Sequence, residues 1–255
     1  MTSRVGRIHE HGAGAPWIML HGFTQTGACF DELCEHMGVR GIAPDLPGHG
    51  PEPMVGASLM DAAKGVAEVL RSASCPMPLL GYSQGGRVAL HVALEHPELI
   101  SVLVVISASP GISDPASRSE RARRDETRAQ ELLDGGLEAF LTSWSTLPMF
   151  EGLRGRGQRW LERDGARRRV HTAEGLAGAL RTLGLGQQED LLPRLKELQM
   201  PCLFVAGADD PAYVEHAFAM GSAAPRGAAV FLPGVGHAAV GQAPREVARL
   251  LQMSL

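Results

Sequence analysis

Lysine is nearly absent from this sequence of 255 residues: only Lys64 and Lys196 occur, so 22 of the 24 basic residues are arginine. The 28 acidic residues leave a net charge of −4, which excludes the basic surplus that is typical of nucleic-acid binders. Codon bias accounts for an arginine excess of this kind. The alternative is that some of these arginines bind carboxylates, because the guanidinium group presents a planar fork of donors.

Cysteine pairs and long apolar segments are also missing. The four cysteines, at positions 29, 34, 75 and 202, form no CxxC pair and lack metal-ligand spacing, which predicts buried free thiols. The longest aliphatic run, residues 102–106, is too short to span a bilayer. Residues 1–17 lack the apolar core of a signal peptide. We therefore expect a cytoplasmic protein without a membrane partner, and we find no motif for a metal ion or another cofactor.

What the sequence does contain is a regular alternation of short apolar runs and helical patterns. Each run ends in a loop that contains glycine or proline; the runs cover residues 17–20, 41–43, 78–80, 102–106, 202–206 and 229–232. Runs of this length are typical of strands buried on both faces. Their alternation with helices predicts an α/β fold with a mostly parallel sheet, whose reactive groups gather at the carboxyl ends of the strands.

One long segment interrupts this alternation. Residues 114–198 contain no strand pattern, whereas residues 117–133, 137–144 and 160–183 have helical patterns. We predict a core made of residues 1–113 and 199–255, with residues 114–198 as a helical cap insertion. The alternative is a surface excursion that plays no part in binding.

Residues 81–85 match the pattern G-x-S-x-G between a predicted buried strand and a predicted helix. In this context the pattern predicts a nucleophile elbow, in which Ser83 lies exposed on a sharp turn between strand and helix. The backbone N–H groups of Phe23 and Gln84 are the expected oxyanion hole. The alternative is a glycine-rich turn with an incidental serine.

A reactive serine needs a base, and the base needs an acid to orient it. His237 follows the last strand run, and both Asp209 and Asp210 follow the preceding one. His21 is expected to brace the oxyanion loop and His49 to fix another loop. The remaining histidines are assigned to surface or packing positions.

Four motifs identify the chain as similar to the α/β-hydrolase superfamily: LHGF at residues 20–23, DLPGHG at 45–50, GYSQGG at 81–86, and the late Asp and His. Within it, the chain resembles the MenH family, the 2-succinyl-6-hydroxy-2,4-cyclohexadiene-1-carboxylate synthases of menaquinone biosynthesis. This narrower resemblance extends through the helical segment. It rests on GYSQGGRVAL at 81–90, SASPGI at 107–112, SERARRD at 119–125 and GLAGALRTLGLGQQEDL at 175–191.

The resemblance implies roles for individual residues. It selects Asp210 as the acid, so that the triad is Ser83, His237 and Asp210. It also implies a small anionic substrate with several carboxylates. Two sets of side chains would contact this substrate, namely three binding arginines and three rings that line the pocket: Arg87, Arg121 and Arg168, and Tyr82, Trp144 and Phe150. For each arginine the alternative is a solvated helix face.

The resemblance implies a lyase that eliminates pyruvate from 2-succinyl-5-enolpyruvyl-6-hydroxy-3-cyclohexene-1-carboxylate, with Ser83 as the base. Two alternatives remain. The same triad serves a serine hydrolase that acts on a carboxylate-bearing ester, thioester or C–C bond. A non-catalytic binding protein of the same fold would be expected to have lost a triad member, and all three are present here.

Overall fold

The protein is described by a computed structural model that covers residues 5–73 and 75–254. The predicted core also includes residues 1–4, 74 and 255, which lie outside the described part. A seven-stranded sheet has the order β1-β3-β2-β4-β5-β6-β7. Only β1, against β3, is antiparallel, so the predicted mostly parallel sheet is confirmed. The strands are β1 (Ile8–His11), β2 (Pro16–Leu20), β3 (Arg40–Pro44), β4 (Met77–Tyr82), β5 (Ile100–Ile106), β6 (Cys202–Gly207) and β7 (Gly227–Leu232).

Helices flank this sheet on both faces. The α-helices are α1 (Asp31–Met37), α2 (Leu59–Arg71), α3 (Gln84–Glu95), α4 (Pro115–Gly135), α5 (Leu137–Ser145), α6 (Gln158–Arg168), α7 (Ala173–Leu183), α8 (Pro211–Ala223), α9 (Ala239–Gln242) and α10 (Pro244–Ser254). Short 3₁₀ helices cover Gly27–Phe30, Pro97–Leu99, Pro148–Arg156, Leu185–Gln187 and Leu192–Glu197. Residues 114–198 are all described and contain no strand.

The helical pattern over residues 160–183 forms two helices rather than one. Helix α6 ends at Arg168 and α7 begins at Ala173. Thr172 caps the second helix, because its side chain accepts a hydrogen bond of 3.0 Å from the backbone N–H of Gly175. The second of these helices, α7, packs against α4.

Each face of the sheet carries one apolar layer, because successive side chains of a strand point to opposite faces. Ile18 and Leu79 pack with α2, α3 and α8 on one face, and Met19 and Leu80 pack with α1 and α10 on the other. The edge strand β7 differs: most of its residues are only partly buried, and Phe231 is 37% exposed. The prediction of burial on both faces is therefore wrong for this strand.

The antiparallel edge strand β1 has no counterpart in the sequence prediction. Its four residues, Ile8–His11, include three polar side chains, and Ile8 is 45% exposed. Such a strand depends on backbone pairing with β3 rather than on an apolar run. Its His9 Nε2 lies 3.0 Å from Oδ1 of Asp45 at the end of β3.

Contacts between α1 and the segment 148–168 attach the helical segment to the sheet region. Glu32 pairs with Arg156 and Arg163, and Asp31 pairs with Arg167. Asp31 and Glu32 are the first two residues of α1, which packs on the sheet. Their ion pairs therefore hold the 3₁₀ helix Pro148–Arg156 and α6 against the core.

The cysteines are free thiols, but not all of them are buried. Cys34 and Cys202 are buried, Cys29 is partly buried and Cys75 is exposed, so the prediction of burial is wrong for Cys75. Within residues 5–73 and 75–254, no group of three or more His, Cys, Asp or Glu side chains is arranged to hold a metal ion. No helix in this part of the chain is long and apolar enough to cross a membrane.

Candidate active site

The turn between β4 and α3 holds Ser83 in an unusual backbone conformation. Its φ is 53° and its ψ is −111°, a combination that costs a non-glycine residue about 1–3 kcal/mol. Two glycines allow the turn to be this tight. A Cβ atom on Gly81 would lie 2.4 Å from the carbonyl oxygen of Gly85, and one on Gly85 would lie 2.1 Å from that of Leu20. The G-x-S-x-G spacing is therefore a steric requirement of the turn.

Ser83, His237 and Asp210 form one chain of hydrogen bonds. The Oγ of Ser83 lies 3.0 Å from Nε2 of His237, and Nδ1 of His237 lies 2.8 Å from Oδ2 of Asp210. When Nδ1–H donates to the carboxylate, Nε2 is free to accept the proton of the serine hydroxyl. Asp209 is exposed, and it is Asp210 that contacts the imidazole.

The loop before His237 is held by Gln242, which sequence reasoning did not assign. The side-chain Oε1 of Gln242 accepts a hydrogen bond of 2.9 Å from the backbone N–H of Gly236, and its Nε2 donates to the carbonyl oxygen of Gly234 at 3.1 Å. Two bonds from one side chain fix the backbone directly before His237. The amide of a glutamine, with one donor group and one acceptor, suits this arrangement.

Two backbone amides in the cavity of Ser83 have no hydrogen-bond partner in the described part of the chain. Phe23 and Gln84 line the same cavity as Ser83, and neither backbone N–H donates a hydrogen bond to another described residue. Unpaired backbone N–H groups are rare inside proteins, so these two donors are available to a ligand. Gln84 is also the first residue of α3, where the helix dipole favours negative charge.

Three buried histidines brace the loops near Phe23. Nδ1 of His21 donates to the carbonyl oxygen of Gly22 at 2.8 Å, and Nδ1 of His171 accepts from the N–H of Gly50 at 2.9 Å. The His49 ring lies between them, with centroid distances of 4.8 Å to His21 and 5.4 Å to His171. Burial lowers the pKa of all three imidazoles, that of His171 to about 4. The rings are therefore neutral at neutral pH.

Two tyrosines flank the His237 ring. The ring centroid of Tyr213 lies 4.3 Å from that of His237, and Tyr82 lies at 5.8 Å on the same measure. Burial raises the pKa of both phenols, so neither carries a charge beside the imidazole. Tyr213 was not predicted from the sequence. Its position three residues after Asp210, in the first turn of a helix, could have indicated that its ring lies near the triad.

A cavity of about 300 Å³ opens beside Ser83, and Arg87 lines it. This arginine is buried: its Nη2 donates to the carbonyl oxygen of Leu183 at 2.6 Å and its Nη1 to Oε1 of Gln188 at 3.4 Å. It forms no ion pair with a described residue, and burial lowers its pKa to about 10. A buried cation without a counter-ion is costly, and an anionic ligand in this cavity would supply the missing charge.

The other two predicted arginines are each paired with an acidic residue of their own helix. Nε of Arg121 lies 3.0 and 3.1 Å from the two carboxylate oxygens of Asp125, which is buried. Nε of Arg168 donates to Oδ2 of Asp164 at 2.7 Å, and its Nη1 contacts Oγ1 of Thr24. These arginines therefore carry partly neutralised charge, in contrast to Arg87.

The predicted side chains lie around Ser83 in two adjoining cavities. Arg87 and Arg121 line the larger one, whereas Tyr82, Phe150 and Arg168 line a smaller one together with Ser83 and His237. Trp144 lines both. The guanidinium carbon of Arg168 lies 5.9 Å from the Phe150 ring centroid. Residues of the sheet loops and of the helical segment thus meet at one place.

The larger cavity also contains groups that sequence reasoning missed. Arg128 lines it, seven residues after Arg121 on α4, and this two-turn helical spacing was an available signal. Oγ of Ser107 and Oε1 of Gln84 are buried and have no hydrogen-bond partner among the described residues. Buried polar atoms without partners are exceptions in folded proteins, and here they lie in the wall of a cavity.

The fold and this site define the class of protein. A profile of the alpha/beta hydrolase family matches residues 17–250. The chain belongs to this family, and the α/β-hydrolase fold expected from the four motifs is confirmed.

More specific similarities lie within that family. The chain is 29% identical over 256 residues to the 2-succinyl-6-hydroxy-2,4-cyclohexadiene-1-carboxylate synthase of Enterobacter sp. (strain 638), covering 98% of this chain and 95% of that protein. It is 31% identical over 214 residues to the synthase of the same name from Pectobacterium atrosepticum, covering 78% of this chain and 81% of that protein. The solved structure of MenH from S. aureus superposes with a TM-score of 0.91 at 29% identity, covering 100% of this chain and 98% of that one. The resemblance to the MenH family is confirmed, and it includes the helical segment.

Proposed function

We propose that this protein eliminates pyruvate from 2-succinyl-5-enolpyruvyl-6-hydroxy-3-cyclohexene-1-carboxylate, leaving 2-succinyl-6-hydroxy-2,4-cyclohexadiene-1-carboxylate, a reaction of menaquinone biosynthesis. The names of the relatives support this product. The observation that carries the proposal is Arg87, a buried cation that lines the same cavity as Ser83 and has no counter-ion within residues 5–73 and 75–254. Such a cavity favours a substrate with carboxylates over a neutral ester.

In the proposed reaction Ser83 acts as a base rather than as a nucleophile. His237 takes the hydroxyl proton of Ser83, and Asp210 stabilises the imidazolium that forms. The serine oxygen then removes the proton from C2 of the ring. Because C2 is next to the ketone of the succinyl chain, the negative charge moves onto the ketone oxygen. The N–H groups of Phe23 and Gln84 stabilise that charge.

The bond changes that follow complete the elimination. The electron pair from C2 forms the C2=C3 double bond, the C3=C4 pair moves to C4–C5, and the C5–O bond to the enolpyruvyl group breaks. The leaving enolate becomes pyruvate when it gains a proton, which the imidazolium of His237 can supply. The proton taken from C2 restores the hydroxyl group of Ser83. The reaction therefore consumes no oxidant, reductant or further reactant.

The remaining residues bind and enclose the substrate in this proposal. Arg87, Arg121 and Arg168 bind its carboxylates, and the rings of Tyr82, Trp144 and Phe150 form the walls. We also propose that residues 114–198 act as a cap over a core made of residues 1–113 and 199–255. Both units contribute to the cavities around Ser83, which is what a cap requires.

The Ser83–His237–Asp210 hydrogen bonds also fit a second candidate, a serine hydrolase that acts on a carboxylate-bearing ester, thioester or C–C bond. A hydrolase forms an acyl-enzyme on its serine, whereas a base does not. Intact-protein mass spectrometry during rapid-quench turnover of the cyclohexene substrate separates the two. We expect no adduct; a substrate-derived mass on Ser83 would favour the hydrolase.

The function is tested by pyruvate release from the cyclohexene substrate, using the wild type and variants at Arg87. We expect the wild type to release pyruvate and Arg87→Ala to lower kcat/KM by about 10²-fold, or about 2.7 kcal/mol. Arg87→Lys should lose much of this activity too, because an ammonium group lacks the planar fork. A wild type that releases no pyruvate contradicts the proposal. Equal losses on a neutral ester would mean that Arg87 supports the fold through Leu183 instead.

A further inference from the structure

The charges in the larger cavity do not balance. Among the described residues, three arginines line it, Arg87, Arg121 and Arg128, but only one acidic residue, Asp125. Both carboxylate oxygens of Asp125 contact Nε of Arg121. Arg87 and Arg128 therefore remain as two cations in one cavity that no described residue neutralises.

Arg128 is held in place but not neutralised. Its guanidinium carbon lies 5.8 Å from the centroid of the Trp144 ring, a cation–π contact that fixes the group while leaving its N–H edge free. The side chain is partly buried. Among the described residues Arg128 forms neither an ion pair nor a side-chain hydrogen bond. The buried indole Nε1 of Trp144 also has no hydrogen-bond partner within this part of the chain. The guanidinium N–H groups of Arg128 and the indole N–H of Trp144 are therefore both available to a ligand.

Arg128 lies at a junction between cavities. It lines the cavity beside Ser83 and also an adjoining opening of about 230 Å³. Trp144 and Leu147 line both spaces as well, and Phe140 and Ser143 of α5 line the opening. The opening is also lined by Glu131, an exposed acidic residue that forms no ion pair with Arg128. An anionic group of a ligand placed where the two spaces adjoin would contact the free N–H edge of the Arg128 guanidinium. Arg87 would then bind another part of the same ligand.

We propose that Arg128, in addition to Arg87, Arg121 and Arg168, binds a carboxylate of the substrate where these two spaces adjoin, and so contributes to specificity for a substrate with several carboxylates. The inference rests on the proposed function, because it assigns a place to one of the several carboxylates of that substrate. Arg128 and Arg121 lie on the same face of α4, seven residues apart, so the helix presents one neutralised and one free guanidinium to the cavity.

The kinetic test compares Arg128→Gln with Arg124→Gln. Arg124 is an exposed arginine of the same helix and lines none of the described cavities, which makes it the matched control. We expect Arg128→Gln to raise KM for the cyclohexene substrate by about 10-fold or more, because a hydrogen-bonded charge pair is lost. Its kcat should change by less than about 3-fold, since the lost contact is the same in the ground state and the transition state. Arg128→Lys should restore part of the affinity, and Arg124→Gln should match the wild type.

A binding measurement keeps this inference separate from the proposed reaction. The probe is 2-succinylbenzoate, a stable aromatic dicarboxylate that the diene product would form by losing water, titrated calorimetrically into each variant. Weaker binding to Arg128→Gln alone supports the inference even if the wild type releases no pyruvate, which would contradict only the proposed reaction. Equal KM values and equal binding for the wild type and Arg128→Gln overturn it. A loss that Arg124→Gln shares would show that only the overall charge of α4 matters.

Discussion

At the scale of single residues, two adjacent aspartates differ in what their carboxylates contact. Asp210 accepts a hydrogen bond of 2.8 Å from Nδ1 of His237, whereas Asp209 is exposed. In the proposed mechanism the carboxylate of Asp210 sets the tautomer of the imidazole and stabilises its protonated form. An asparagine in the same place keeps the size but allows the wrong tautomer.

We therefore predict that Asp210→Asn lowers kcat for pyruvate release by about 10³-fold or more, while Asp209→Asn stays within about twofold of the wild type. Steady-state kinetics measure both effects, and thermal unfolding of both variants checks that the fold is retained. If Asp209→Asn proves the more damaging substitution, Asp210 is not the orienting acid.

At the scale of elements, the elbow between β4 and α3 depends on packing against a neighbouring strand. A Cβ atom on Gly85 would lie 2.1 Å from the carbonyl oxygen of Leu20 at the end of β2. That carbonyl belongs to the backbone of a central strand, so neither side is free to move. Gly135, the last residue of α4, offers a comparison because nothing lies within 4 Å of the place of its Cβ.

We predict that Gly85→Ala destabilises the protein by about 3 kcal/mol or more, because overpacking here forces the backbone apart. Gly135→Ala should be neutral or stabilising by about 0.5 kcal/mol, since alanine restricts the unfolded chain. Urea unfolding monitored by circular dichroism measures both free energies. Equal stabilities of the two variants would show that the elbow relaxes without cost.

Helix α4 acts as one unit in the site. Arg121, Asp125 and Arg128 lie four and three residues apart, so all three share one face of the helix. Elsewhere in the helical segment, Arg156 and Arg163 attach the chain to α1 through their shared partner Glu32. The spacing along α4 therefore gives these side chains a shared face, and the packing of α4 against α7 gives the helix its place in the fold.

At the scale of the whole molecule, the buried histidines link stability to pH. The ordinary pKa of a histidine is 6.5, and burial lowers that of His21, His49 and His171, the last to about 4. Below pH 6.5 the unfolded chain therefore binds protons that the folded protein does not. The free energy of unfolding must fall as the pH falls from about 6.5 towards 4, and it keeps this contribution in full above pH 6.5.

We predict a slope of up to about 1.4 kcal/mol per pH unit for each of these histidines within that window. Urea unfolding at several pH values between 7.5 and 4 measures it. His171→Asn keeps an acceptor for the N–H of Gly50 but does not titrate, so its slope should be shallower than that of the wild type. An identical slope in the variant would mean that His171 does not contribute.

The sequence by itself determined the features that depend on short stretches of chain. The six apolar runs became strands β2 to β7, because short apolar runs favour a place within the sheet, although β7 at its edge is only partly buried. The elbow followed from the glycines at 81 and 85, which are the residues that its turn needs. The edge strand β1 escaped prediction because backbone pairing with β3, not apolar burial, forms it.

The tertiary structure alone decided which distant groups meet. Ser83 and His237 are 154 positions apart, and no local pattern shows that Asp210 rather than Asp209 reaches the imidazole. The same holds for the arginines, which are alike in the sequence. Asp125 pairs with Arg121, while Arg87 and Arg128 form no ion pair with a described residue, because the folded structure sets the distance of each guanidinium from a carboxylate. Coulomb interaction depends on that distance, which the order of residues along the chain does not specify.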